Sequence, residues 1–244
     1  MKIIPAIDLM EGKVVRLYKG DPEKKTIYSE NPIDIAKKWE KAGADMIHLV
    51  DLDATLGRGS NMGIIKNLVN QVSVPVQVAG GLRDESTISK VLSFASRIVL
   101  GTIAFKEREI LKNILGNYGK KRIVISVDHI DGNIMIEGWQ KSTGKNLIEG
   151  IKDFIEMGFS EFLLTNVNKD GTLQGPDLEF LHEACKINNI NVISSGGISN
   201  IDDVIKVKQN NAYGVILGKA LYENLVSIEE AKKIVAKGSI GLLY

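Results

Sequence analysis

Along the chain, short β-branched runs alternate with longer stretches whose apolar residues recur every three or four positions. The runs fall near residues 3–8, 46–51, 75–79, 98–101, 123–128, 161–165, 191–194 and 214–218. Each is almost continuously apolar, the pattern of a strand in a parallel sheet buried on both faces. Between them, Ile64, Ile65, Leu68, Val69 and Val72 share one face of a helix predicted near 61–72. Ile88, Val91, Leu92 and Ala95 do the same near 84–95. Asn31-Pro32 reads as an N-cap followed by proline at N1, and Met157-Gly158 as a helix end. Cys185 falls on the apolar face of a helix near 178–188, a core position. Nothing interrupts the alternation, so eight strand–helix units predict a single (β/α)8 barrel domain over residues 1–244. An open doubly wound sheet is the alternative, but such a sheet has no reason to repeat at half its length.

The chain does repeat at half its length. Val76-Gln77-Val78-Ala79-Gly80-Gly81-Leu82 returns as Val192-Ile193-Ser194-Ser195-Gly196-Gly197-Ile198, a shift of 196 − 80 = 116. Ile98-Val99-Leu100-Gly101-Thr102 returns as Val215-Ile216-Leu217-Gly218-Lys219, a shift of 117. Ile4 to Asp8 and Glu11-Gly12-Lys13 return as Val124 to Asp128 and Asp131-Gly132-Asn133, both shifted by 120. Leu49 to Asp53 returns as Leu164 to Asn168, shifted by 115. Four collinear matches indicate two (β/α)4 half-barrels, about 1–120 and 121–244.

Composition narrows the class. A length of 244 residues suits an α/β barrel, which usually takes about 250. Thirty-one basic and thirty acidic residues leave a net charge of +1, giving no sign of nucleic-acid or membrane affinity. One cysteine excludes an internal disulfide framework and fits a reducing compartment. The apolar run after Met1 is too short for a signal peptide, and no stretch nears the roughly 20 apolar residues of a membrane span. A soluble cytoplasmic monomer is expected.

A barrel builds its site where the C-terminal strand ends meet the following loops. Those ends carry Asp8, Asp51, Gly80-Gly81, Gly101-Thr102, Asp128, Thr165 to Thr172, Ser194 to Gly197 and Gly218-Lys219. A strand ending in Gly-Gly before a helix exposes backbone N–H groups beside a positive helix end, which suits a phosphate. Two such nests on opposite sides of the mouth predict a long ligand with a phosphate at each end. The plainer alternative is tight strand–helix packing that only glycine permits. Asp8 and Asp128 face each other across the axis, with Asp170 in the loop after strand 6, and such acids can divide base and acid roles. Each would otherwise cap its own loop. Arg16 and Arg83 are candidate phosphate forks or solvated side chains. Trp139 either stacks on a ligand ring or packs on its own loop. His48 reads as a wall residue, and His129 and His182 carry no signal. Lys169 and Lys219 lack the apolar surroundings of a Schiff-base lysine. No His/Cys cluster implies a metal.

Ile4-Pro5-Ala6-Ile7-Asp8-Leu9, Val14-Val15-Arg16-Leu17 with Gly20-Asp21, His48 to Asp53, and Asp170-Gly171-Thr172-Leu173 with Gly175-Pro176 together resemble a known family. Gly138-Trp139, Ser195-Gly196-Gly197 and Gly218 to Tyr222 extend the match over essentially the whole chain. The family is that of the phosphoribosylformimino-5-aminoimidazole carboxamide ribotide isomerases (ProFAR isomerases) of histidine biosynthesis. The resemblance implies an Amadori rearrangement of a bisphosphorylated aminoaldose to its aminoketose, with neither metal nor organic cofactor. It implies Asp8 as the base that moves the C2 proton, with support from Thr165. The acid that opens the ribose ring would be Asp128 or Asp170. Gly20, Gly171 and Thr172 enter the expected binding surface through the same motifs. Ala79, Asn166 and Asn168 depart from the family pattern, which has glycine at the first position and often acids at the other two. The related cyclase of the next step, a dual-substrate isomerase also serving tryptophan synthesis, and a non-enzymatic phosphometabolite-binding barrel are the alternatives. The glycine-bracketed segment 12–20 has the makeup of a lid.

Overall fold

The computed structural model describes residues 1–236, and in it all eight predicted runs are strands of one closed parallel sheet. The chain opens with β1 (Lys2–Met10), extended by a hairpin of β2 (Lys13–Tyr18) and β3 (Asp21–Ser29), then α1 (Pro32–Lys41). β4 (Ile47–Asp51) leads into α2 (Leu52–Leu56) and α3 (Met62–Gln71), and β5 (Val76–Ala79) into α4 (Glu85–Leu92). β6 (Arg97–Leu100) precedes α5 (Thr102–Lys106) and α6 (Arg108–Tyr118). β7 (Ile123–Ile130) again carries a hairpin, β8 (Asn133–Ile136) and β9 (Lys141–Asn146), before α7 (Leu147–Glu156). β10 (Glu161–Asn166) precedes α8 (Leu178–Cys185), and β11 (Asn191–Ser195) precedes α9 (Ile201–Gln209). β12 (Gly214–Leu217) is followed by α10 (Lys219–Tyr222) and α11 (Ile228–Ala236).

Parallel pairing runs β1-β4-β5-β6-β7-β10-β11-β12 and returns to β1, where Lys2 pairs with Gly214 and Pro5 with Leu217. Closure leaves the barrel strands without an open edge. Side chains alternate between two cores. Ile7, Leu49, Val78, Ile98, Ile125 and their neighbours pack outward under the helices. Ala6, Met46, Val99, Val124, Leu163, Ile193 and Ile216 fill the barrel itself. The helix signals hold to within a few residues. The Asn31 side chain accepts from the N–H groups of Ile33 and Asp34, with Pro32 inside the first turn. Met157 caps α7 before Gly158 at φ +100°.

A buried polar belt crosses the barrel interior. The Gln77 amide joins His48 Nδ1 at 2.8 Å and accepts from Arg97 Nε at 2.8 Å. Arg97 Nη1 reaches Glu161 at 3.2 Å, and Glu161 also accepts from Asn191 at 2.7 Å.

The two hairpins answer each other. Glu11-Gly12 has φ of 54° and 76°, and Asp131-Gly132, 120 residues on, has 47° and 79°. Positive φ at both central residues is the geometry that turns a two-residue hairpin with the natural strand twist. The segment expected as a lid is therefore β2 and its two turns, fixed by pairing of Asp8 with Val15 and of Met10 with Lys13.

Candidate active site

The hairpins and strand ends enclose a cavity of about 680 Å³. Asp8, Asp128, Thr165 and Asp170 all line it, together with Arg16, Trp139 and the glycine turns of the first half.

Asp8 is 8% exposed, and burial pushes its carboxyl up to about 6 despite the guanidinium beside it. That guanidinium belongs to Arg16, one residue along β2 from the Val15 that pairs with Asp8. Arg16 Nη1 donates to Asp8 Oδ2 at 2.7 Å, and Nη2 lies 3.5 Å from Asp170 Oδ1. Arg16 thus joins two of the predicted acids while its Nη2 also approaches Gly218 of the second nest. Burial alone would lower its affinity for the proton, but Asp8 and Asp170 carry it above its ordinary value.

Asp128 has a different company. Burial raises its pKa, against hydrogen bonds from Trp139, Ser126 and Thr165 that favour the charged form. Trp139 Nε1 donates at 2.7 Å and Ser126 Oγ at 2.8 Å. The Trp139 ring lies against Gly20 of the other hairpin, where an added Cβ would meet it at 2.6 Å. Trp139 therefore packs across the mouth rather than on its own loop.

Asp170 is placed by backbone. Its N–H and that of Lys169 bond to the Asn166 carbonyl at 3.1 and 3.0 Å, and its carbonyl accepts from Lys19 at 3.3 Å. Gly171 follows at φ +70°, and a Cβ there would sit 2.5 Å from the Leu17 carbonyl of β2. Only glycine lets this loop lie on the hairpin. The Thr172 hydroxyl turns back to the Lys169 carbonyl at 2.7 Å.

The glycine nests are close copies. Gly80 and Gly81 have φ of 95° and 69°, Gly196 and Gly197 have 92° and 86°. Gly101 (φ −99°, ψ −106°) and Gly218 (φ −108°, ψ −110°) precede α5 and α10 without any side-chain cap. The free helix ends are consequently those after Gly101 and Gly218. The helices after the Gly-Gly turns are already capped: Asp84 accepts from Thr87 N–H and Asn200 from Asp203 N–H. This differs from the expectation that the Gly-Gly turn and the next helix act together. Ala79 is not among the residues at positive φ, so alanine costs nothing there. Ser195, Gly196, Gly197, Gly218 and Lys219 bound a small crevice of about 20 Å³ shared with Arg16 and Asp170. Lys219 Nζ donates to the Gly171 carbonyl at 3.3 Å. In the first nest the Thr102 hydroxyl accepts from Glu137 N–H at 2.8 Å. Arg83, expected at a phosphate or in solvent, donates to the carbonyls of Ala54 and Thr55 at 3.2 and 2.9 Å while lining the cavity.

His48 is a buried wall residue of the belt, held neutral by burial that lowers its pKa to about 3. Cys185 is half-buried against the outer core. Among the described residues, no group of three or more His, Cys, Asp or Glu could hold a metal ion, and no helix is long and apolar enough to cross a membrane. Ser126 went unnoticed in the sequence, although it lies two residues before Asp128 and so shares its face of β7.

The histidine biosynthesis protein family matches residues 2–227. A protein of Nitrosopumilus maritimus is 63% identical over 96% of this chain and 100% of its own length. One from Cenarchaeum symbiosum is 53% identical over 95% and 99%, and one from Lactococcus lactis 41% identical over 94% and 95%. All three are named 1-(5-phosphoribosyl)-5-((5-phosphoribosylamino)methylideneamino) imidazole-4-carboxamide isomerase. With its barrel, its doubled glycine turns and these relatives, the chain belongs to the histidine biosynthesis protein family.

Proposed function

We propose that this protein catalyses the isomerisation for which its relatives are named, rearranging a bisphosphorylated aminoaldose to its aminoketose by acid–base chemistry on aspartates. The observation that carries the residue assignment is the array Asp8–Arg16–Asp170 in a cavity flanked by two glycine nests. A phosphate at each end of the substrate takes one nest, with Gly80, Gly81, Gly101 and Thr102 on one side and Gly196, Gly197, Gly218 and Lys219 on the other. The sugar then lies over the aspartates.

Asp170 protonates the ring oxygen as the C1–O bond breaks, leaving an iminium at C1. Asp8 removes the C2 proton, and the resulting enaminol becomes the C2 ketone by gaining a proton at C1 and giving up the proton of its C2 hydroxyl. A base near neutral is efficient because it is both deprotonated and still basic, and Asp8 is pushed up to about 6. Asp128 is the weaker candidate for the acid. Its oxygens are already taken by the donors Trp139, Ser126 and Thr165, so a proton there would displace one of them. Asp128 instead supports the mouth through Trp139.

In the same proposal the chain acts as one domain and as a cytoplasmic monomer on a dissolved small molecule. The test is turnover of the bisphosphorylated aminoaldose by purified protein, with the phosphoribosyl substrate of the tryptophan pathway assayed beside it. Absence of turnover of the first, or Asp8→Asn retaining activity within a fewfold of wild type, would overturn the assignment.

A further inference from the structure

Behind the Asp170 loop lies a pair, buried Asn166 and partly buried Asp177, that the mechanism does not use. Asn166, at the end of β10, donates from Nδ2 to Asp177 Oδ2 at 2.6 Å. Its other amide atom, Oδ1, accepts from Asn168 N–H at 2.9 Å. Its carbonyl holds the N–H groups of Lys169 and Asp170. Asp177, in turn, caps α8 by accepting from Phe180 N–H at 3.3 Å. His129 Nδ1 accepts from Gly132 N–H, so its proton sits on Nε2, which is buried without a hydrogen-bond partner and lies 3.8 Å from Asp177 Oδ2. The residue after Asn166, Val167, bonds through its N–H to the His129 carbonyl at 3.0 Å, so the strand end that carries Asp170 abuts the start of the hairpin that carries Trp139.

The first half holds the same device with its members exchanged. Position 51 corresponds to 166 (a shift of 115) and position 61 to 177 (a shift of 116). There the acid is on the strand and the amide on the helix side: Asn61 Nδ2 donates to Asp51 Oδ1 at 2.8 Å, and Asp51 Oδ2 accepts from Asn61 N–H at 2.7 Å. Each half therefore keeps one carboxylate and one amide, in opposite order. What both arrangements preserve is a donor facing an acceptor, not the identity of either residue.

We infer that the Asn166–Asp177 pair is a positioning device for Asp170, and that its acid and amide are interchangeable so long as one of each is present. The inference rests on Asp170 acting as the acid. Asn166→Asp alone sets two carboxylates 2.6 Å apart. Asp177→Asn alone leaves a single acceptor oxygen for two donors, Asn166 Nδ2 and Phe180 N–H. The double exchange reproduces the order found at Asp51 and Asn61.

The experiment compares kcat and KM for the bisphosphorylated aminoaldose in wild type, N166D, D177N, the double variant and D170N, with thermal unfolding of each. Misplacing a catalytic group by about 1 Å costs roughly 10²-fold, so each single variant should lose about that in kcat while KM stays within about threefold. The double variant should return to within about fivefold of wild type. A double variant as slow as the slower single one overturns the inference, as do single variants at wild-type kcat beside an inactive D170N. D170N at full rate overturns the assignment of the acid and this inference with it. Should N166D not fold, D177N against the double variant carries the same comparison.

Discussion

The two halves of the barrel share a backbone but not an electrostatic design. Both turn a hairpin after their first strand at residues of matching φ, and both end their third strand in paired glycines at positive φ. Yet Asp8 is met by the permanent charge of Arg16, whereas Asp128 is met by neutral donors, Trp139 and Ser126. The equivalent of Arg16, at 16 + 120 = 136, is Ile136. Glycines and turns fix where an acid sits; the hairpin beside it decides what that acid can do. A duplicated scaffold can thus hold two carboxylates in similar places and still give them separate work.

The strongest way to break this comparison is to neutralise each acid in turn. Asp8→Asn should reduce turnover by about 10³-fold and Asp128→Asn by about tenfold, both in folded protein by circular dichroism. Equal losses would mean that the neighbours do not differentiate the acids. The glycine turns offer a mechanical version. Gly80→Ala places a Cβ 2.3 Å from the Asp51 carbonyl, whereas Gly196→Ala meets nothing closer than 3.3 Å. Urea unfolding should show a loss of about 3 kcal/mol for the first and about 1–2 kcal/mol for the second, mostly backbone strain. Trp139→Phe keeps a ring over Gly20 but removes the donor to Asp128, and kcat should fall about tenfold. The smallest effect is on pH. Below about pH 6 Asp8 holds a proton and cannot take another, so kcat/KM should fall on the acid side with a midpoint near 6. Arg16→Gln removes a cation that favours the carboxylate and should move that midpoint upward by about one unit. Trp139→Phe should leave it in place, because the indole N–H bonds to Asp128 and not to Asp8.

The eight barrel strands were legible because burial on both faces leaves a nearly unbroken apolar run, as in Ile123 to Val127. The hairpin strands were not. β9, Lys-Ser-Thr-Gly-Lys-Asn, is almost wholly exposed, and a strand wet on both faces has no hydrophobic period to read. Asp8 and Asp128 stood out as polar residues ending apolar runs. The partnership of Arg16 with Asp8 and Asp170 did not, because it depends on a two-residue turn folding β2 back along β1. The polar residues after each Gly-Gly were visible, but not that Asp84 and Asn200 take up the helix donors themselves. Asp177 was hidden in another way. Its match to Asn61 exchanges an acid for an amide, and similarity by residue type misses a pair that is conserved only in its hydrogen bond.

The polar belt has a consequence for how the chain threads itself. Arg97 of the first half and Glu161 of the second meet inside the barrel, each almost fully buried. A one-residue slip of β6 or β10 would turn one of them to the outer face and abandon the other in hydrocarbon, at a cost of about 3–5 kcal/mol. Aliphatic side chains alone would tolerate such a slip far better. The charged crossbar therefore serves as an alignment key, admitting one stagger of the closed cylinder and rejecting its near neighbours.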